Sequence, residues 1–172
     1  KASVSKISLE FHCHTSSSKD SLLRPADLVA AARRKRIDRV VVTDHNSITG
    51  AREAHASAPD LVIIGEEVQT TQGEFLAAFV TDPLPKGLEP KEALARLKAQ
   101  GAFISVSHPF DEMRSGHWAE EDLLEILPLV DAIETFNARC MQASYNRQAQ
   151  AFAKEHGVLG TVGSDAHAAF EL

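Results

Sequence analysis

The chain has 172 residues, a length that suits one compact domain, and its 44% hydrophobic and 24% charged residues exclude a disordered or fibrous chain. A formal net charge of −6 argues against a protein built to coat nucleic acid, which needs clustered Lys and Arg against phosphate. No apolar run reaches the ~18–20 residues of a membrane span, and Cys13 and Cys140 form no C-x-x-C pair, so the expected setting is reducing and cytoplasmic.

Predicted strands and helices alternate along the chain. Lys6 to Cys13 reads as a strand, with Ile7, Leu9 and Phe11 at period two. Arg24 to Arg36 reads as a helix whose first turn takes Pro25 and whose inner face carries Leu28, Val29 and Ala32. A buried strand, Arg39 to Thr43, and an Ala-rich helix from about Thr49 to Ala58 follow, closed by Pro59. Leu61 to Val68 is the third strand, and Thr71-Gln72-Gly73-Glu74 turns the chain into Phe75 to Val80 as a hairpin. After a loop with three prolines comes a helix, Lys91 to Gln100, capped by Gly101. Strands Phe103 to Ser107, Ala132 to Phe136 and Val158 to Gly163 then alternate with helices Glu120 to Leu127 and Met141 to His156. Such alternation means parallel β-α units in an open sheet or a barrel, with 1–172 as a single domain.

Ligands of α/β folds lie at the C-terminal edge of the parallel strands. Five of the eight histidines fall at such ends: His12 and His14, His45, His108 and His167. Carboxylates accompany them in Asp44-His45, Gly65-Glu66-Glu67, Glu134 and Asp165-Ala166-His167. His12-x-His14 and Asp165-x-His167 each aim two side chains at one face of an extended segment, and Glu67 can bridge two ions. Imidazole with carboxylate suits Zn, Mn or Fe, and the ligand number exceeds what one ion needs. His55 is expected to face solvent, His117 to stay at the surface, and His156 to serve a helix end. The run Arg33-Arg34-Lys35-Arg36 suits a helix C-terminus, and Ser16-Ser17-Ser18 reads as a flexible loop over the site.

In this order the motifs His12-x-His14, Asp44-His45, Gly65-x-Glu67, His108-Pro109 and Asp165-x-His167 resemble the PHP (polymerase and histidinol phosphatase) family, from about Ile7 to His167. The resemblance implies a distorted (β/α)7 barrel holding two to three divalent ions, Mn, Zn or Fe, with Mg as another candidate. It places the first ion on His12, His14, Glu67 and Asp165, and the second on Glu67 and His108. The third falls on His45 and His167, with Asp20 beside them. A further His or Cys that completes the second ion in many members has no counterpart, and Asn137 stands near its place. The chain is short for the family and starts at Lys1 rather than Met, so a trimmed start and a missing C-terminal segment are expected.

The implied reaction is hydrolysis of a small phosphomonoester (a nucleotide, sugar phosphate or histidinol phosphate-like compound) by a metal-activated hydroxide. His45 or His167 would protonate the leaving oxygen, and Arg139 would fork onto a phosphate oxygen or form a surface salt bridge. The alternatives rank below it: a nuclease or phosphodiesterase on oligonucleotides, which the acidic balance disfavours, an amidohydrolase, and a non-catalytic metal-binding domain.

Overall fold

The computed structural model describes residues 6–172. Among these, β1 (Leu9–Cys13), β2 (Arg39–Val42), β3 (Val62–Gln69), β4 (Glu74–Ala78), β5 (Phe103–Val106), β6 (Ala132–Asn137) and β7 (Leu159–Gly163) form one sheet in chain order. β1 to β3 pair in parallel, as do β5 to β7. His14 N–H donates to Ala166 O and Asp165 N–H to His12 O, which brings the end of β7 back against β1. The result is a nearly closed α/β barrel, the distorted barrel expected from the sequence.

Helices α1 (Pro25–Arg34), α2 (Thr49–Ser57), α3 (Pro90–Ala99), α4 (Glu120–Ile126) and α5 (Ala143–His156) connect the strands. Pro25 and Pro90 open α1 and α3, where a missing N–H and a fixed φ do no harm. Gly157, at φ 64°, ends α5 in the left-handed conformation that glycine adopts without steric penalty. No helix among the described residues is long and apolar enough to cross a membrane.

The distortion has a local cause. β4 runs antiparallel to both neighbours and follows β3 through a tight turn, in which Thr70 N–H and Oγ1 both donate to Gly73 O. The expected hairpin is therefore present, but as a helix-free insertion into an otherwise parallel ring. β4 is shorter than expected because Phe79, at φ 67°, leaves the extended conformation. β1 also begins later than expected, at Leu9 rather than Lys6.

Side chains alternate between the helix layer and the barrel interior. Val40 and Val42 pack outward with Leu28, Ala31, Ala32, Ala51 and Ala54, whereas Val41 points inward. Val68, Ile104 and Val106 pack with Leu94, Leu97, Leu123, Ile126 and Phe152 on the far side. Each fully buried large side chain, such as Leu28 or Leu94, stabilises the fold by about 1.5–3 kcal/mol relative to leaving it in water. Inside the barrel, Phe11, Val41, Leu76 and Ala78 form an apolar plug with Ile63 and Phe103. The polar interior residues thus gather at the other edge.

Strict alternation would set His12 opposite Phe11. A register shift in β1, where Glu10 to Cys13 faces Val40 to Val42, lets Phe11 join the plug while His12 points at the site above it. His55 also departs from expectation. It is half-buried and donates from Nδ1 to Val62 O at 2.7 Å, pinning α2 to β3.

Candidate metal centre

His12, His14, Glu67, His108 and Asp165 are all buried at one mouth of the barrel. Three of the residues with positive φ outside glycine, Asn46 (49°), His108 (21°) and Asp165 (54°), lie just past strand ends at this mouth. Held strain of this kind clusters where side chains must be aimed rather than merely packed.

The tautomers follow from counting hydrogen bonds. His12 Nδ1–H donates to Glu134 Oε1 at 2.8 Å, which turns Nε2 toward the centre. Ser18 Oγ donates to Asp44 Oδ1 (2.7 Å) and accepts from His45 N–H (3.1 Å), so toward His14 Nδ1 (3.3 Å) it can only accept. His14 Nδ1 therefore carries the proton, and its Nε2 is a lone pair. His167 Nδ1–H donates to Asp165 O at 2.8 Å, leaving its Nε2 beside Asp20 Oδ2 at 3.3 Å.

These constraints bring acceptors together. His12 Nε2 and His14 Nε2 lie 3.0 Å apart. Glu67 Oε2 stands 3.5 and 3.4 Å from them, and Asp165 Oδ1 3.5 and 3.2 Å. Asp165 Oδ1 is buried with no hydrogen-bond partner among the described residues. Such a knot is repulsive unless a proton or a cation sits in it. Atoms bound about 2.0–2.2 Å from one tetrahedral Zn-type ion stand about 3.3–3.6 Å apart, close to the edges seen here. The donor set fits a divalent transition-metal ion.

Glu67 faces two ways. Its Oε2 belongs to this group and also lies 3.0 Å from His45 Nδ1, while Oε1 accepts from Ser107 Oγ (2.7 Å) and lies 3.2 Å from His108 Nε2. Glu74 Oε2 is 3.4 Å from the same His108 nitrogen, which makes Glu67, Glu74 and His108 a second potential ion group. His14, His45 and His167 form a third, with Asp20 Oδ2 3.5 Å from His45 Nε2. His108 Nδ1 is buried without a partner among the described residues.

Proton affinities reflect the crowding. Burial alone would lower the His12 imidazole, but Asp165, Glu134 and Glu67 outweigh it and hold it well above its ordinary value. Burial likewise opposes His45, which Glu67 and Asp20 push up to about 9. Glu67 would be raised by burial, yet His12 and His108 hold it well below the usual carboxylate range. Glu74, buried and next to Glu67, is pushed up to about 7. A bound cation favours the deprotonated ligands, so the protons that hold the knot together are those an ion displaces.

The structure brings seven of the expected residues, His12, His14, His45, Glu67, His108, Asp165 and His167, into one cluster, with Asp20 at its exposed side. Arg139 sits farther out, at the rim of a cavity of about 700 Å³ over the cluster, with Nη1 3.4 Å from Glu171. Asn137 donates from Nδ2 to Glu134 and Asp165, 3.1 Å each, a partner of the acidic side chains. Ser18 is buried and fixes the His14 imidazole and the His45 backbone N–H, so this residue of the Ser16–Ser18 run is built into the site, whereas Ser16 and Ser17 are exposed. Asp44 is engaged by Thr15 and Ser18 and holds that segment in place. His117 is half-buried, donating from Nδ1 to Arg114 O.

Glu74 and Arg114 were not singled out from sequence, and Glu134 was seen at its strand end without a role. Because β4 is antiparallel, its N-terminal residue, Glu74, lies at the edge where its neighbours end. Glu134 anchors His12 through Oε1 and accepts His108 N–H at Oε2 (2.8 Å). Arg114 reaches Asp165 Oδ2 at 2.6 Å.

Residues 10–155 match the PHP domain family, and residues 143–172 the PHP-associated family. An uncharacterised protein of Methanocaldococcus jannaschii is 35% identical over 167 residues, which is 95% of this chain and 67% of that protein. A proposed metal-dependent phosphoesterase of Bifidobacterium adolescentis superposes with a TM-score of 0.78 at 17% identity, over 96% of this chain and 90% of that one. A two-domain protein of Bacteroides vulgatus containing a predicted PHP-like metal-dependent phosphoesterase gives a TM-score of 0.76 at 24% identity, over 96% and 53%. At these identities the two solved structures speak for the fold.

Proposed function

The chain belongs to the PHP domain family, and from that premise we propose that it is a divalent-metal-dependent phosphoesterase acting on small phosphomonoesters. The observation that carries the reading is the convergence of His12 Nε2, His14 Nε2, Glu67 Oε2 and Asp165 Oδ1, the last with no partner among the described residues, next to His45, His108 and His167, which line an open cavity. Divalent ions bound there supply a water of lowered pKa and positive charge against a phosphoryl group.

The chain's own residues do the rest. Glu134, Ser18 and the Asp165 carbonyl fix the ring orientation of His12, His14 and His167, so the ligand nitrogens need no reorganisation. His45 and His167 line the cavity, and His45, or His167 through Nε2, delivers a proton to the departing oxygen where that nitrogen does not hold an ion. Lys19, Lys86 and Arg139 line the cavity and attract an anionic ester. The cavity is of a size for a compact substrate, and the −6 net charge repels a long polyanion away from it.

The test is reconstitution in turn with Mn, Zn, Fe and Mg, followed by kcat/KM for p-nitrophenyl phosphate, a nucleoside monophosphate, bis-p-nitrophenyl phosphate and a short single-stranded oligonucleotide. Monoesters should be hydrolysed fastest. Oligonucleotide turnover well above that of every monoester would replace this reading with a nuclease, and no metal uptake at all would remove it.

A further inference from the structure

We propose that Arg114 is a catalytic residue of this site, its guanidinium gripping a non-bridging oxygen of the phosphoryl group while Asp111 and Asp165 hold it in place. The inference rests on the phosphoesterase reading and names a residue that the family motifs in this sequence do not include.

Arg114 lies in the loop after β5, far from any strand end. Its Nε donates to Asp111 Oδ2 at 3.1 Å and its Nη1 to Asp165 Oδ2 at 2.6 Å. A guanidinium has five N–H donors in a rigid plane. Two are engaged here, and the remaining three, one on Nη1 and two on Nη2, have no protein acceptor among the described residues. The side chain is largely buried yet lines the cavity, together with His45, Glu74, His108 and His167. Asp111 is itself buried and accepts Met113 N–H at Oδ1, so the anchor on the loop side is fixed.

The arrangement does more than steady a carboxylate. Asn137 already donates to Asp165 Oδ2, so a clamp on that oxygen exists without an arginine. A cation placed here solely to neutralise Asp165 would not need three donors left over at the cavity. Oriented by two carboxylates, the free edge is aimed before substrate arrives, and planar forked donors match a phosphoryl group. Arg139 is the contrasting case. It pairs with Glu171 at the rim and is 40% exposed, a position suited to attraction rather than grip.

The experiment compares wild type, Arg114→Lys and Arg114→Gln, each loaded with Mn(II). Metal content is measured by elemental analysis, inorganic phosphate binding by calorimetry, and kcat/KM on p-nitrophenyl phosphate. Arg114→Lys keeps the charge beside Asp165 but loses the fork. It should retain its metal, bind phosphate at least about tenfold more weakly, and lose activity on the order of 10²-fold, as when one aimed donor is removed. Phosphate affinity and activity per bound ion within twofold of wild type would overturn the proposal. So would metal loss in both variants that accounts for the whole drop in phosphate binding, which would make Arg114 a positioning residue for Asp165. If Arg114→Gln does not fold, Arg114→Lys decides alone. Wild-type protein that takes up metal but neither binds phosphate nor cleaves any ester would instead strike the phosphoesterase reading itself.

Discussion

The ion-holding residues divide into an inner and an outer region that are built differently. Inside, the His12, His14, Glu67 and Asp165 side chains have at most 1% exposure, and each imidazole has its second nitrogen tied to a protein acceptor. Outside, the side chains of His45 and Asp20 are 35% and 58% exposed, and among the described residues Asp20 has only its neighbouring histidines as side-chain partners. Glu67 belongs to both, through Oε2 to the inner group and His45, and through Oε1 to His108. Pre-aimed, desolvated donors hold an ion with little reorganisation, whereas exposed ones compete with water and salt. The inner group is therefore expected to keep its ion through dialysis and the outer group to exchange it.

Glu67→Gln attacks this division at its shared member and should have the largest effect. An amide offers one neutral oxygen where a carboxylate offered two charged ones, so both the inner group and the Glu74–His108 group lose a ligand. Elemental analysis should find the metal content reduced by more than one equivalent, with activity down on the order of 10²–10³-fold. Retention of every ion would show that Glu67 does not bridge.

Glu134→Gln is the next step down, because it changes a partner of a ligand rather than a ligand. The amide can still accept from His12 Nδ1–H, but it no longer favours charge on the imidazole and can flip to present its NH2 group. Metal affinity should fall about 10–100-fold, the range for such partners. Competition with a chelator on the purified variant measures it. An unchanged affinity would mean that the inner group needs no outer support.

How much of this was legible before the structure depends on strand direction. Histidines and acids at the C-terminal ends of parallel strands could be found from the strand edge, which located His12, His14, His45, His108, Asp165 and His167, while the choice of Glu67 over Glu66 needed the Gly65-x-Glu67 motif and Asp20 came with the family resemblance. The same rule passes over Glu74, since an antiparallel strand enters that edge with its first residue. Nor could period two foresee the β1 register shift that turns Phe11 and His12 to the same side of the sheet. Arg114 lies in a loop with no periodicity, so only its contacts reveal it.

Asp20→Asn tests the outer region alone. Its carboxylate is more than half exposed, and it meets His45 and His167 at 3.5 and 3.3 Å without a second buried anchor. Losing its charge should remove no more than about one ion equivalent and slow turnover by less than about tenfold, below the span for a buried partner. The inner ion should survive dialysis as in wild type. A variant that lost all its metal would show the two regions to be one cooperative unit.

The smallest effect is expected one residue from the largest. Glu66 precedes Glu67 on β3, so its side chain leaves the opposite face of the sheet. There both carboxylate oxygens lie 3.1 Å from Leu84 N, which donates to them, in a pocket beneath the loop after β4. Burial pushes this carboxyl up to about 7, so near neutral pH the protein already carries it protonated to a large extent. The amide of Glu66→Gln resembles that neutral form in shape and still accepts from Leu84 N–H. Metal content and kcat/KM should stay within about twofold of wild type, and thermal melts should show a stability change under about 1 kcal/mol, the scale of one neutral hydrogen bond exchanged for another. Loss of metal in Glu66→Gln with retention in Glu67→Gln would place the register of β3 one residue out. It would also turn the inward face of the strand, and the division of the site built on it, inside out.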